Sequence, residues 1–354
     1  MKQILAFLLS ALMVLSLGGC YNENGADDLE IDAVARSYLK TLNVTDSYLT
    51  SIDYQAIDKY EIPERTLDYT YVSSSIDEIL DVFYYFNSSD DEYVKKGSMI
   101  LFNCKVKDEA GSCVYDKNGK ILVGSGNLKL LEQKALSKRK GETIKITPNT
   151  ELRDFFGIPK HTSMEIKILD IFDLTEKSDT KKSLSDNGFD SLLDFYNHLF
   201  GQKIGEYYFE ETTKICSEFL DFATEHCEFN IAYEDLKNYT RQVVKNNADT
   251  AESFGLTVEE YYSDILGEEE SVFFFNCSQS ANREIKTALV IGALAKHNDI
   301  HIDSKKYQDF CSKNNVDLDD EISKSLIEYY LLQSEVIKFY TSAELITYGL
   351  INFE

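Results

Sequence analysis

Residues Ile121 to Pro148, ILVGSGNLKLLEQKALSKRKGETIKITP, decide the fold. They read as a strand end, a Gly-Ser-Gly turn, one amphipathic helix, a Lys-Gly turn, and a strand in which Ile144 and Ile146 alternate. Leu128, Leu131, Ala135 and Leu136 recur at i, i+3, i+7 and i+8, the stripe of a helix lying on a sheet. Lys138, Arg139 and Lys140 ahead of Gly141 make a helix stop: cations suit the C-terminal dipole, and Gly accepts a left-handed cap. Physics alone predicts an α+β domain.

Outward from this stretch, MILFNCKVKDEAG from Met99 is a period-two strand with Met99, Leu101 and Asn103 on one face, closed by a Gly turn. MEIKILDIFDL from Met164 alternates Met164, Ile166 and Ile168. Together they bound a domain over residues 93–175. Val123-Gly124-Ser125-Gly126, Leu128, Leu131-Glu132, Leu136, Lys140-Gly141-Glu142 and Pro148 follow, in order, a pattern that resembles FKBP-type peptidyl-prolyl isomerase domains. Gly111 to Asp116 resembles that family's strand motif, and FFGIPKHTS from Phe155 its flap.

The resemblance implies an antiparallel sheet wrapped on one helix and a pocket for a proline side chain. Its walls would be Tyr115, Leu128, Leu131, Phe155, Phe156, Ile158 and Met164, with Asp116 as the polar edge. Such a pocket needs no acid or base. The barrier of about 18–20 kcal/mol comes from lost amide resonance, and a dry aromatic site favours the less polar twisted amide. Three positions depart from the family. Asn103 stands where Tyr or Phe is usual, Leu128-Lys129-Leu130-Leu131 lacks the floor aromatic, and Met164 replaces a closing-strand Phe. Two outcomes stay open: an isomerase, weakened or lost, or a scaffold that binds peptide without turning it over.

The first nineteen residues read as a lipoprotein signal peptide: Lys2, then an apolar run from Ile4 to Leu17 too short to span a bilayer comfortably. Leu17-Gly18-Gly19-Cys20 resembles a bacterial lipobox, which implies cleavage before Cys20 and acylation of its sulfur. Acyl chains contribute about 0.8 kcal/mol per buried CH₂, so several anchor stably. The expected location is extracytoplasmic, lipid-anchored to the cell membrane. Residues 20–50 read as an acidic tether with one short helix over 31–42. Residues 51–92 read as a linker or arm packing with the helical domain: an extended start, then a helix from Ser73. Ser75 and Glu78 form its capping box, and Ile76, Ile79, Leu80 and Phe83 its apolar face.

From residue 176 the chain reads as a charged connector and then helices to the end. Gly201 and Gly205 mark an expected break, Asn230 and Asp303 or Ser304 expected caps, and Thr257 to Glu260 a capping box. Phe254-Gly255-Leu256-Thr257-Val258-Glu259-Glu260-Tyr261 and the run Ala288 to Asp303 resemble the C-terminal domain of trigger factor. The full expectation is α+β: an FKBP-like sheet inserted ahead of an all-α trigger factor C-terminal arm domain of the SurA-like kind, over 176–354. Trigger factor's ribosome-docking loop has no counterpart, so the ribosome is not an expected partner. The resemblance implies a folding factor for unfolded or nascent exported polypeptides. The alternative is a non-enzymatic lipoprotein dedicated to one envelope partner.

Charge limits the partners further. The chain carries 61 Asp and Glu against 36 Lys and Arg, a net of −25, and loss of Lys2 with the signal peptide makes it −26. Such acidity argues against nucleic acid, which needs a basic face. The 23 Tyr and 21 Phe beside no Trp supply ample core, and adjacent aromatics such as Phe273-Phe274-Phe275 cannot all face it. Among the cysteines, Cys104 and Cys113 flank an expected hairpin and are the plausible disulfide pair. Scattered histidines, with no CxxC, leave no expected metal or cofactor, and no nucleophile–base pair points to a hydrolase.

Overall fold

The computed structural model describes residues 30–342, apart from 64–66, 161, 303 and 314–320. The signal peptide, Cys20, the first part of the tether, His161 and Asp303 lie outside the described residues. The Cα framework forms two units: Pro63–Glu210, and residues up to Ile62 together with those from Glu211 onward.

The chain opens with α1 (Ala33–Thr41), β1 (Leu49–Ile52) and α2 (Tyr54–Ile57). The sheet unit follows: α3 (Tyr69–Phe83), β2 (Tyr84–Ser88), β3 (Met99–Lys107), β4 (Cys113–Leu122), α4 (Lys129–Ala135), β5 (Thr143–Ile146), α5 (Thr150–Phe156), β6 (Ser163–Glu176) and α6 (Thr180–Asp186). Then come α7 (Leu192–Glu225), β7 (Cys227–Phe229), α8 (Tyr233–Ser253), α9 (Val258–Glu260), α10 (Glu270–His297), α11 (Ser304–Lys313) and α12 (Glu321–Thr341).

The five-stranded sheet has the order β2-β6-β3-β4, all antiparallel. The long strand β6 serves two partners on one side: Ile146 faces Met164 near its start, and Ser88 faces Phe172 further along. Period-two burial drives this layer. Ile100, Phe102, Cys104 and Val106 are buried, as are Met164, Ile166 and Ile168. Asn103 shares its face with Leu101 and Lys105, all half-buried. The inward aromatic on β3 is therefore Phe102. Leu128, Leu131 and Ala135 of the α4 stripe are buried, but Leu136 is exposed.

Several expected boundaries move. α4 stops at Ala135, because Leu136 leaves the helical region (ψ 135°) and Ser137 then takes a left-handed backbone (φ 63°); Gly141 (φ 85°) serves the following turn. α3 starts at Tyr69 with Asp68 as N-cap, so Ser75 is mid-helix and donates to the Tyr71 carbonyl at 3.1 Å. Its expected last turn is strand β2, since Tyr84 is extended and pairs with Glu176. The flap stretch holds the end of α5, closed by Gly157 in the left-handed region. α7 runs unbroken through Gly201 and Gly205, and Asn230 precedes α8, whose N-cap is Ala232. Cys113 pairs with Lys107 and Cys104 with Lys117, so the two cysteines lie about 10 Å apart along the ladder, beyond disulfide reach.

In the helical unit α10 is the spine, buried on nearly every face from Thr287 to Ala295. Residues 31–57, read from sequence as tether and linker, belong to this core. Ile31, Ala35, Tyr38 and Leu39 are buried, the Asp32 N–H donates to the Gly292 carbonyl at 3.0 Å, and β1 pairs with β7. A Cβ on Gly292 would sit 2.3 Å from Ile31, so only Gly allows this approach.

Candidate functional sites

The sheet unit brings the expected pocket residues together and fills the space between them. Tyr115, Leu128, Leu131, Phe156, Ile158 and Met164 are buried in one cluster, with Phe155 half-buried against it. The Tyr115 and Phe156 rings meet edge to face at 5.5 Å. Into this cluster α3 inserts Tyr69, whose ring meets those of Phe102, Phe155, Phe156 and Phe200 at centroid distances of 5.7–6.4 Å. The Tyr69 Oη donates to the Lys120 carbonyl at 2.9 Å. A Cβ on Gly119 would sit 2.4 Å from this ring. Tyr69 thus fills the aromatic centre of this cluster. Sequence reading missed it because it began α3 four residues late; Asp68 ahead of an aromatic run was the available signal.

Asp116 does not join this cluster. Neighbouring strand residues face opposite ways, so Tyr115 points inward and Asp116 outward, where Asn103 donates to it at 2.9 Å and Lys105 pairs with it at 2.9 Å. These partners hold its carboxyl below the usual carboxylate range. The outward side of β4 opens a groove of about 560 Å³ lined by Asp68, Thr70, Tyr71, Asn103, Asp116, Lys117 and Asn118. Its charges are each paired, Lys117 with Asp68 at 3.0 Å and Asp116 with Lys105.

A second candidate lies where the α8–α10 hairpin turns. Gly255 (φ 73°) ends α8, and the Thr257–Glu260 capping box starts α9 as expected, with the Thr257 N–H donating to Glu260 at 2.7 Å. A widened π-type turn, Tyr261–Ile265, follows. Phe273 is buried and stacks on Tyr262 at 5.1 Å. Its helix neighbours, about 100° around, cannot follow it inward: Phe274 and Phe275 are exposed, with Phe254 (68%) and Ile265 (61%). Between Asn246 and Asn282 the chain carries eight carboxylates and no Lys, Arg or His. The hairpin end thus exposes several apolar side chains within a stretch of net negative charge.

Among the described residues no group of three or more His, Cys, Asp and Glu is placed to hold a metal. No described helix is long and apolar enough to cross a membrane.

No curated protein matches the chain in sequence. A solved structure described as promiscuous substrate recognition in folding and assembly activities of the trigger factor chaperone shares 15% identity. The comparison covers 82% of this chain and 72% of that one with a TM-score of 0.32, too loose to carry over fold or function. Residues 203–340 match the family described as bacterial trigger factor protein (TF) C-terminus. That segment, which contains the hairpin end, is similar to the C-terminal part of trigger factor.

Proposed function

We propose that this protein is an exported, lipid-anchored folding factor that holds unfolded polypeptide segments on the end of its α8–α10 hairpin. The observation that carries the reading is the set of exposed Phe254, Ile265, Phe274 and Phe275 within the trigger factor-like segment. Apolar side chains gathered on a surface mark an interaction site. The signal stretch and Leu17-Gly18-Gly19-Cys20 support the anchor. The sheet unit, which resembles the isomerase pattern in sequence, serves as scaffold in this reading, supported by Tyr69 packed into its aromatic centre.

The test uses the soluble form from Tyr21 onward with several unrelated aggregating proteins. Suppression that is lost in a Phe254→Ser, Phe275→Ser double variant supports holding at the hairpin. Suppression of none of them sinks the reading and favours a dedicated envelope partner. The anchor is tested by labelled fatty-acid incorporation in cells, expected for the native chain and absent from Cys20→Ala.

A further inference from the structure

Asn103 and Asp116, which the isomerase resemblance attached to a buried pocket, meet instead on the solvent side of the sheet. There they line the groove of about 560 Å³ with Tyr71, Lys117 and Asn118, a size within the roughly 300–1,000 Å³ of small-ligand sites. Three features narrow what it takes. Its charges cancel in pairs, Lys117 with Asp68 at 3.0 Å and Lys105 with Asp116 at 2.9 Å, so it offers no net charge to an ion. Its amides are only half used. Asn103 Nδ2 donates to Asp116 Oδ1 at 2.9 Å and to Asn118 Oδ1 at 3.0 Å. The Asn103 amide oxygen and the Asn118 amide nitrogen have no protein partner among the described residues. Beside these polar groups stands Tyr71, 54% exposed. A peptide strand does not fit, because an added strand needs free backbone groups along the edge. On β4 the Asn118 carbonyl already accepts the Thr70 hydroxyl at 2.5 Å, and the Lys120 carbonyl the Tyr69 hydroxyl at 2.9 Å.

We propose that this groove binds a neutral saccharide. Sugar hydroxyls both donate and accept, so the open amide oxygen of Asn103 and the open amide nitrogen of Asn118 match hydroxyls on one ring. The C–H face of a pyranose is apolar and flat, and it stacks on an aromatic ring such as Tyr71, which is apolar on its face and polar at its tip. A groove whose own charges cancel suits a ligand that carries none. The site lies wholly in the sheet unit and acts independently of the hairpin end: it gives the sheet unit a task of its own, contact with glycan.

The experiment is native electrophoresis of the soluble form from Tyr21 through gels that hold a soluble neutral glucan, mannan or galactan, with a polysaccharide-free gel as reference. At least one polymer is expected to retard the native chain. Tyr71→Ala removes the ring. Asn118→Asp removes the open donor and keeps the acceptor that Asn103 uses. Each is expected to weaken binding about tenfold, with urea midpoints equal to the native one as the check on folding. Tyr233→Ala, at an exposed tyrosine of the helical unit, keeps the native retardation. Relief by the free monosaccharide, or only by longer oligosaccharides of the same polymer, separates a single sugar from a chain, and both support the site. Mobility unaltered by all three polymers, or retardation that either groove variant leaves as it was, overturns the proposal.

Discussion

The Glu132 carboxylate accepts the Gly124 backbone N–H at 2.8 Å, and with it the whole turn before α4 is tied to one side chain. The same carboxylate takes the N–H groups of Gly126 at 3.0 Å and Leu128 at 2.9 Å, and the Ser125 hydroxyl at 3.0 Å. Glu132 is buried, and Gly124 (φ 95°) and Gly126 (φ 83°) stand in conformations that L side chains avoid. Glu132→Ala leaves these donors without their acceptor, the buried Leu128 N–H among them. The expected loss is about 2–4 kcal/mol of sheet-unit stability, read as a shifted urea midpoint.

Tyr69 fills the aromatic centre of the sheet unit. Tyr69→Phe loses the bond to the Lys120 carbonyl and is expected to cost about 1 kcal/mol; Tyr69→Ala leaves a cavity and costs about 3–5 kcal/mol. In a protease-coupled prolyl-peptide assay the native chain is expected to give no acceleration. Acceleration by the native chain would show that Tyr69 does not block the pocket.

Phe254 and Phe275 are solvent-exposed, so changing both to Ser is expected to move stability by no more than about 0.5 kcal/mol each while client binding drops. The carboxylate rim adds a charge preference: cationic unfolded peptides bind more tightly than anionic ones. That margin shrinks as salt approaches about 1 M, where screening acts within roughly 3 Å. Titration of the two peptide classes at low and high salt checks it.

The thiols report the fold directly. Cys113 is exposed and Cys104 buried, with burial pushing the Cys104 thiol up to about 12. Maleimide at neutral pH labels Cys113 first and Cys104 only on unfolding. Because the folded value is raised, Cys104 favours the folded chain below the ordinary thiol range near 8.5. That contribution is lost as pH rises from there towards about 12. Alkaline unfolding followed by mass spectrometry of labelled peptides measures this.

Gly292→Ala puts a methyl group where Ile31 and Ala35 sit. The clash is expected to cost about 1–3 kcal/mol and to expose residues 31–42 to proteases while the sheet unit stays resistant. Equal sensitivity of both units would contradict the close α1–α10 packing.

Short-range patterns carried much of this fold. Alternation marked β3 and β6, the Leu128–Leu131–Ala135 stripe marked α4, and the Thr257–Glu260 box and Gly255 punctuated the hairpin end. These features depend on residues within a few positions of one another, so local chemistry reveals them. The Phe273–Phe275 run likewise announced that some rings must face solvent, by helix geometry alone.

The remainder rests on contacts between residues far apart in the chain. Alternation places Asn103 and Phe102 on opposite faces of β3, but only the sheet's packing partners make Phe102 the inward one; the same holds for Tyr115 and Asp116. α4 ends at its C-cap Leu136, ahead of the more obvious Gly141, and the Ser137 N–H donates instead to the Val94 carbonyl at 2.9 Å. The segment after residue 30 continues an acidic stretch ending at Glu30, yet Gly292 gives its helix a place in the core. And the residues that short motifs gathered pack around Tyr69, some fifty residues from Tyr115, since burying a large aromatic ring adds many contacts.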